Sequence, residues 1–167
     1  MKIKSVLLLA IMILSCVSLS FAQSGYVKLG DIKGDSSDAN HKDWIVIESM
    51  GMSMELSKSP TGATRHRGKV QLQDLIIIKK VDKSSPKLAE ACAKGMTIPK
   101  LELEIVGSNG RTYYKVILEP VRISSVNTHS SDAQLIEEVA FNYSKITWEY
   151  SSRDGTTSSS YDSRTGN

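Results

Sequence analysis

The chain has 167 residues, a length that indicates one domain, and its 40% hydrophobic and 23% charged residues are ordinary for a globular protein. These values exclude a disordered, collagen-like or multi-span membrane protein. Lysine and arginine number 21 against 18 aspartate and glutamate residues, which gives a formal charge of +3. This small excess does not indicate nucleic acid as a partner, because nucleic-acid-binding proteins concentrate basic residues on one face.

Residues 1–22 are predicted to form a secretory signal peptide. The start is basic, residues 6–21 carry no charge, and small residues precede a cleavage site expected after Ala22. The chain is therefore expected to be secreted or periplasmic, with no stable membrane span. Two alternatives stay open: a membrane anchor, which the serines in the apolar run disfavour, and lipidation at Cys16, whose preceding residues loosely resemble a lipoprotein box.

Cleavage after Ala22 would leave 145 of the 167 residues, enough to bury a hydrophobic core. Cys92 would then be the single cysteine. No internal disulfide is expected, so the fold must depend on its core even in an oxidising compartment.

Alternation of apolar and polar residues, with many β-branched and aromatic side chains, predicts a mainly β protein. The predicted strands are residues 26–32, 44–50, 70–80, 101–105, 114–118, 121–126 and 135–150. The run from Leu75 to Ile78 is apolar at every position, so we expect it to be buried on both faces.

Two local patterns refine this prediction. Asn109-Gly110 lies between alternating runs and predicts a hairpin with a type I′ turn, in which both central residues have positive φ. In the last strand, apolar residues occupy odd positions up to Tyr143 and even positions from Ile146. One face cannot hold both sets in a regular strand, so we expect a bulge near residues 144–145.

One helix is predicted after residue 84. Ser85 is expected to cap its first turn, Pro86 suits the first helical position, and Gly95 is placed to end the helix. The apolar face, which we expect to pack on the sheet, consists of Leu88, Ala91 and Cys92.

Residues 151–167 are rich in serine and threonine and contain few apolar side chains. Such a segment buries too little surface to offset its ordering entropy, so we predict a disordered tail. The predicted organisation is thus a signal peptide over 1–22, a β domain over 23–150 and this tail.

No spacing of residues indicates catalysis, a cofactor or a metal. Four aspartates between residues 31 and 43 lack the ligand order of an EF-hand and are interpreted as a solvated turn. The three histidines and Cys92 share no metal-ligand spacing. Residues 62–70 differ from a phosphate-binding loop in spacing, and no Gly-x-Ser-x-Gly elbow occurs. We therefore expect no enzyme and no cofactor.

The connection from Gly51 to Gly68 is long and carries the basic cluster Arg65-His66-Arg67. Connections longer than about 12–15 residues are often functional. Two interpretations stay open: a solvated loop, or a surface that contacts another protein.

Several segments taken together resemble the haemolysin-coregulated protein (Hcp) family of type VI secretion tube subunits. The resemblance spans about residues 25–150 and depends on residues 31–36, 41–45 and 79–95 and on the last strand. The motif positions within these segments include Asp31, Gly34, His41, Lys42, Ser85, Pro86 and Trp148.

The resemblance implies a small closed β-barrel of two packed, rolled sheets with one flanking α-helix. It implies a structural protein of virulence-associated secretion, not an enzyme, which forms hexameric rings that stack into a tube and can carry effectors in the lumen. A spike-tip protein and small effectors would be further partners. Arg65, His66 and Arg67 would lie in the loop that family members use for contacts between subunits and between stacked rings.

Typical tube subunits carry no signal peptide, whereas this chain has the pattern of one. A second hypothesis therefore remains: an exported adhesin-like or carrier module that uses the same ring outside any contractile machine.

Overall fold

The computed structural model describes residues 23–56, 70–131 and 134–166. The predicted signal peptide, residues 1–22, and the predicted contact residues Arg65, His66 and Arg67 lie outside these ranges. The described strands and helix are β1 (Ser24–Leu29), β2 (Ile45–Ile47), β3 (Ser49–Gly51), β4 (Met54–Leu56), β5 (Val70–Leu72), β6 (Leu75–Lys80), α1 (Ser85–Ala93), β7 (Thr97–Ile98), β8 (Leu101–Val106), β9 (Thr112–Ser131), β10 (Gln134–Ser151) and β11 (Thr156–Asp162).

The main sheet closes on itself. Its strands are ordered β2-β1-β8-β9-β10-β6-β3, and every pairing is antiparallel. The two end strands, β2 and β3, are consecutive in the chain and meet at Glu48, whose backbone N–H donates to the Ile78 carbonyl at 2.8 Å. The continuous segment β2–β3 therefore pairs with β1 at one end of the sheet and with β6 at the other, which closes the barrel. The predicted closed barrel with one flanking helix is confirmed.

The core lies inside this barrel and beneath the helix. Alternate residues of each strand point inward, because successive side chains of a strand face opposite sides. Burying each large aliphatic side chain contributes about 1.5–3 kcal/mol. The fully buried core side chains include Val27, Leu29, Ile45, Leu75, Ile77, Leu88, Leu101, Leu103, Val116, Leu118, Val121, Val139, Phe141 and Ile146.

Two predicted strands are each divided in the structure. Residues 44–50 form β2 and β3, and residues 70–80 form β5 and β6. The expectation that the run from Leu75 to Ile78 is buried on both faces is wrong, since Ile76 is 37% exposed and Ile78 is half-buried. Strand β6 lines a closed barrel, so only its inward face contacts the core.

The predicted hairpin is confirmed between β8 and β9, but its turn is of another type. Gly110 has φ +73°, whereas Asn109 does not have positive φ. The Gly110 N–H donates to the Gly107 carbonyl at 2.9 Å, and the strand register shifts between Ile105 and Val106. This arrangement, a turn followed by a left-handed glycine, is the usual one when the loop is longer than two residues.

The bulge lies four residues before its predicted position. Ala140 pairs with Ser125 and Phe141 with Ile123, so Ser124 of β9 has no partner in the ladder. Pairing continues in constant register through residues 143–145, where the change of apolar phase had predicted the irregularity. The Ser124 hydroxyl donates instead to the Asp74 carboxylate, which holds the extra residue outward.

Helix α1 ends as predicted but begins differently. The N–H groups of Gly95 and Met96 donate to the carbonyls of Cys92 and Ala91 at 3.0 and 2.9 Å, with Gly95 at φ +57°. These two hydrogen bonds, together with a glycine in the left-handed conformation, form the Schellman motif. The expected capping role of Ser85 is wrong, because Ser84 occupies the N-cap position and no side chain caps it.

The prediction of a disordered tail is wrong for residues 156–162. They form β11, which pairs antiparallel with residues 145–151 of β10 in unbroken register. Tyr161 packs against the core. Composition reflects apolar burial alone, whereas a strand added to an existing sheet also gains backbone hydrogen bonds along its length.

Candidate assembly surface

The loop between β1 and β2, residues 30–44, holds four of the predicted motif positions. Gly34 donates its N–H to the Asp43 carbonyl at 2.8 Å. A Cβ at this glycine would lie 2.4 Å from the Cα of Ile45, so backbone passes too close for any side chain. Asp31 and Lys42 are exposed on the outside of the loop.

The side chain of His41 connects this loop to the barrel. The residue is 5% exposed, with Nδ1 2.7 Å from Asp38 Oδ1 and Nε2 3.1 Å from Glu104 Oε2. The Tyr26 ring stacks on the imidazole with centroids 4.3 Å apart, and Trp44 meets it edge-on at 4.9 Å. Side chains from β1, β8 and the loop therefore converge on one histidine.

Glu104 is the charged centre of the outer barrel surface at this point. Burial tends to raise the pKa of its carboxyl, but bonds from Thr112 and His41 and the Lys115 ammonium outweigh burial and leave the pKa below its usual value. Lys115 also lies 3.0 Å from Glu102. The carboxylate is thus ionised and interacts with Thr112, His41 and Lys115.

A second polar cluster lies under the start of α1. The Lys79 ammonium is fully buried and lies 2.8 Å from Asp82 and 2.9 Å from Glu137. Ser85 donates its hydroxyl to Glu137 at 2.7 Å, which explains why it does not cap the helix. Burial tends to raise the pKa of Asp82, yet bonds from Lys79 and Ser84 outweigh it and lower the pKa.

Pro86 and Trp148 complete the predicted motif positions. Pro86 is exposed in the first turn of α1, where its missing N–H removes no helical bond. Trp148 is half-buried on β10 between Val116 of β9 and Ser159 of β11. Trp148 therefore contributes to packing of the barrel wall.

Strands β4 and β5 form a separate two-stranded ribbon. Met54 pairs with Leu72 and Leu56 with Val70, so these four apolar residues share one face. The opposite face carries Glu55 paired with Gln71. Leu72 packs against the core, whereas Met54 and Leu56 are 43% and 65% exposed.

A groove of about 520 Å³ lies between α1 and the start of the β1–β2 loop. Asp31 lines its rim together with charged residues of the helix. The apolar floor of the groove is formed by Leu29, Ile32, Ala91, Met96 and Ile98.

The structure brings the loop and helix motifs together. Lys83, at the turn before α1, lies 3.1 Å from Asp43 in the loop. The sequence reasoning missed the buried partners Glu104, Lys79 and Glu137. A signal for two of them exists in the pattern: Lys79 is in phase with buried Leu75 and Ile77, and Glu137 is in phase with buried Val139 and Phe141.

Within residues 23–56, 70–131 and 134–166, no three histidine, cysteine or acidic side chains converge as metal ligands would. Over the same residues, no helix has the length and apolar character needed to cross a membrane.

Comparison with known proteins identifies relatives over most of the chain. A family model described as "Type VI secretion system effector, Hcp" matches residues 26–150. Protein hcp1 of Pseudomonas aeruginosa is 35% identical over 131 residues, which cover 75% of this chain and 81% of that protein. The major exported protein of the same organism is 24% identical over 155 residues, covering 80% and 87% of the two chains.

A solved structure agrees with this assignment. The crystal structure of Hcp1 from Salmonella typhimurium aligns with a TM-score of 0.77 at 26% identity, over 87% of this chain and 98% of that one. The closed barrel with its single flanking helix is thus the fold of type VI secretion tube-like proteins. This chain belongs to the Hcp family.

Proposed function

We propose that this protein is a structural subunit of a type VI secretion tube, which assembles into hexameric rings that stack and can carry effectors in the lumen. The observation that carries the proposal is the apolar face of the β4–β5 ribbon. Leu56 and Met54 extend this face into solvent. In the sequence, the segment that holds Arg65, His66 and Arg67 begins directly after Leu56.

The ribbon needs a partner for physical reasons. Two strands alone are marginally stable in water, and burial of a hydrophobic face against another surface stabilises the structure. A second copy of the chain can supply that surface. When two different patches meet in this way and the rotation closes, the product is a ring, so self-association through the ribbon fits a cyclic hexamer.

Solution mass tests the proposal directly. Light scattering of the purified protein at micromolar concentration should give about six subunits, and negative-stain images of the same fraction should contain rings. A stable monomer over this concentration range would contradict ring assembly, although it would leave the fold unaffected.

Substitutions on the two faces of the ribbon give a matched test. Met54→Glu with Leu56→Glu places charge on the apolar face and should shift the mass from the hexamer toward the monomer. Gln71→Glu with Gln73→Glu adds the same two negative charges at exposed positions outside the apolar face and should leave the mass unchanged. Equal loss of assembly in both pairs would argue against a specific apolar contact.

Stacking of rings is a separate step, for which Arg65 and Arg67 remain the predicted contact residues. Reversal of both charges should reduce tube formation seen in electron micrographs while the circular dichroism signal of the β fold persists. Loss of that signal would assign the two residues to folding instead.

The alternative, an exported adhesin-like or carrier module, is favoured by one observation. Strand β1 begins at Ser24, so cleavage after Ala22 would leave every strand of the barrel complete. The relative described as a major exported protein is consistent with export. The N-terminal residue of protein collected from culture fluid, with and without a working type VI apparatus, separates the two: Gln23 in both cultures supports the alternative.

A further inference from the structure

Both ring nitrogens of His41 face carboxylate oxygens. Nδ1 lies 2.7 Å from Asp38 Oδ1, and Nε2 lies 3.1 Å from Glu104 Oε2. A neutral imidazole has one N–H donor and one acceptor nitrogen, whereas an ionised carboxylate can only accept. Both contacts can be hydrogen bonds to ionised carboxylates only when the ring carries a proton on each nitrogen.

The two carboxylates are themselves held in the ionised form. The bond from His41 and the backbone N–H of Asn40 lower the pKa of Asp38. Glu104 accepts from the Thr112 hydroxyl at 2.8 Å and lies 3.0 Å from the Lys115 ammonium. Neither carboxylate therefore offers a proton to a neutral ring.

Two aromatic rings also contact His41. Strand β1 contributes the Tyr26 ring, which lies parallel to the imidazole at an angle of 7°, and the loop contributes Trp44. Lys28 Nζ lies 5.9 Å from the Trp44 ring centroid. The face of an aromatic ring attracts a cation, so the stacked tyrosine also favours the charged imidazolium.

We propose that His41 is a pH-sensitive latch, which ties the residue 30–44 loop to β8 while the ring is doubly protonated and releases the loop when one proton leaves. After that loss, a nitrogen lone pair would face a carboxylate oxygen, so one bond would become a repulsion. The loop carries Asp31 and Ile32 at the groove beside α1, so release would loosen that groove. The latch does not depend on ring assembly.

The direction of the effect follows from the charges. Closure should be strongest where His41 carries both ring protons and both carboxylates are ionised. Raising the pH removes the second ring proton and weakens the latch. Strong acid also weakens it, because Asp38 and Glu104 then become neutral.

Nitrogen-15 NMR of histidine-labelled protein tests the proposal. In neutral solution both ring nitrogens of His41 should carry protons, and one should lose its proton as the solution becomes alkaline. Over the same range, hydrogen-exchange protection of the Gly34 and Asp43 amides should fall about tenfold relative to the Val27 amide, the loss expected for one hydrogen bond. An unprotonated His41 nitrogen in neutral solution, or a protection ratio that stays constant as the pH rises, would overturn it.

Variants supply the control. His41→Gln should remove the alkaline fall in loop protection, whereas His129→Gln, at an exposed position on β9, should retain it. If His41→Gln retains the same fall, another group controls the loop and the proposal fails. If that variant does not fold, the ring-nitrogen measurement on the unchanged protein still decides between the two outcomes.

Discussion

Lys79 Nζ lies 2.9 Å from Glu137 Oε2, and the two side chains are only 0% and 5% exposed. The pair joins β6 to β10, and Ser85 of α1 donates to the same carboxylate. The flanking helix is therefore tied to the barrel by charge-assisted hydrogen bonds as well as by the apolar contacts of Leu88 and Ala91.

Removal of the buried ammonium should strongly destabilise the protein. Lys79→Met leaves Glu137 and Asp82 without their shared cation, and breaking a buried pair in this way costs about 3–5 kcal/mol. Urea unfolding measures the change. Lys80→Met is the matched control, because Lys80 is 60% exposed on the opposite face of β6 and should cost less than about 1 kcal/mol. Equal losses in the two variants would contradict the argument.

Gly34→Ala should destabilise the β1–β2 loop. The added methyl group would lie 2.4 Å from backbone atoms of Trp44 and Ile45, which cannot move without displacing β2. We expect a loss of at least about 2 kcal/mol in the free energy of unfolding. Gly51→Ala serves as comparison, since a Cβ there meets no atom within 4 Å. A thermal midpoint that is equally low in both would show that the effect is not steric.

Protonation of Glu104 should account for part of the loss of barrel stability in acid. Its folded-state pKa is lowered, so it contributes stability above its unfolded-state pKa, and this contribution disappears as the pH falls through the folded value. Glu104→Gln should therefore reduce the free energy of unfolding at neutral pH. It should also make that free energy fall less steeply between about pH 5 and about pH 3. Glu55→Gln, on the exposed ribbon, should leave the slope unchanged; a slope unaltered by Glu104→Gln would contradict the assignment.

Truncation after Ser152 should lower the unfolding midpoint and promote aggregation. The loss of β11 exposes the edge of β10 along residues 145–151 and removes the packed ring of Tyr161. An unpaired strand edge is a template for association. Removal of residues 164–167 alone preserves β11 and should leave both the midpoint and the light-scattering mass unchanged. If both truncations behave alike, β11 does not protect this edge.

Much of the architecture follows from local patterns that sequence alone contains. Alternation predicted the strands, Gly95 predicted the end of α1, and Asn109-Gly110 predicted the β8–β9 hairpin. The family motifs, together with this pattern, indicated a closed barrel with one helix. These features could be predicted because each depends on residues near one another in the chain, through φ preferences and the two-residue period of a strand.

The tertiary structure decided features that depend on distant partners. Ser124 leaves the ladder where Asp74, fifty residues earlier in the chain, accepts a hydrogen bond from its hydroxyl group, and the bulge therefore lies away from its predicted position. Tail residues 156–162 are ordered because the edge of β10 is available to them. His41 is fixed by Glu104 and Lys79 by Glu137, at separations of 63 and 58 residues. A local pattern carries no information about which distant polar groups will meet, because closure of the barrel sets those distances.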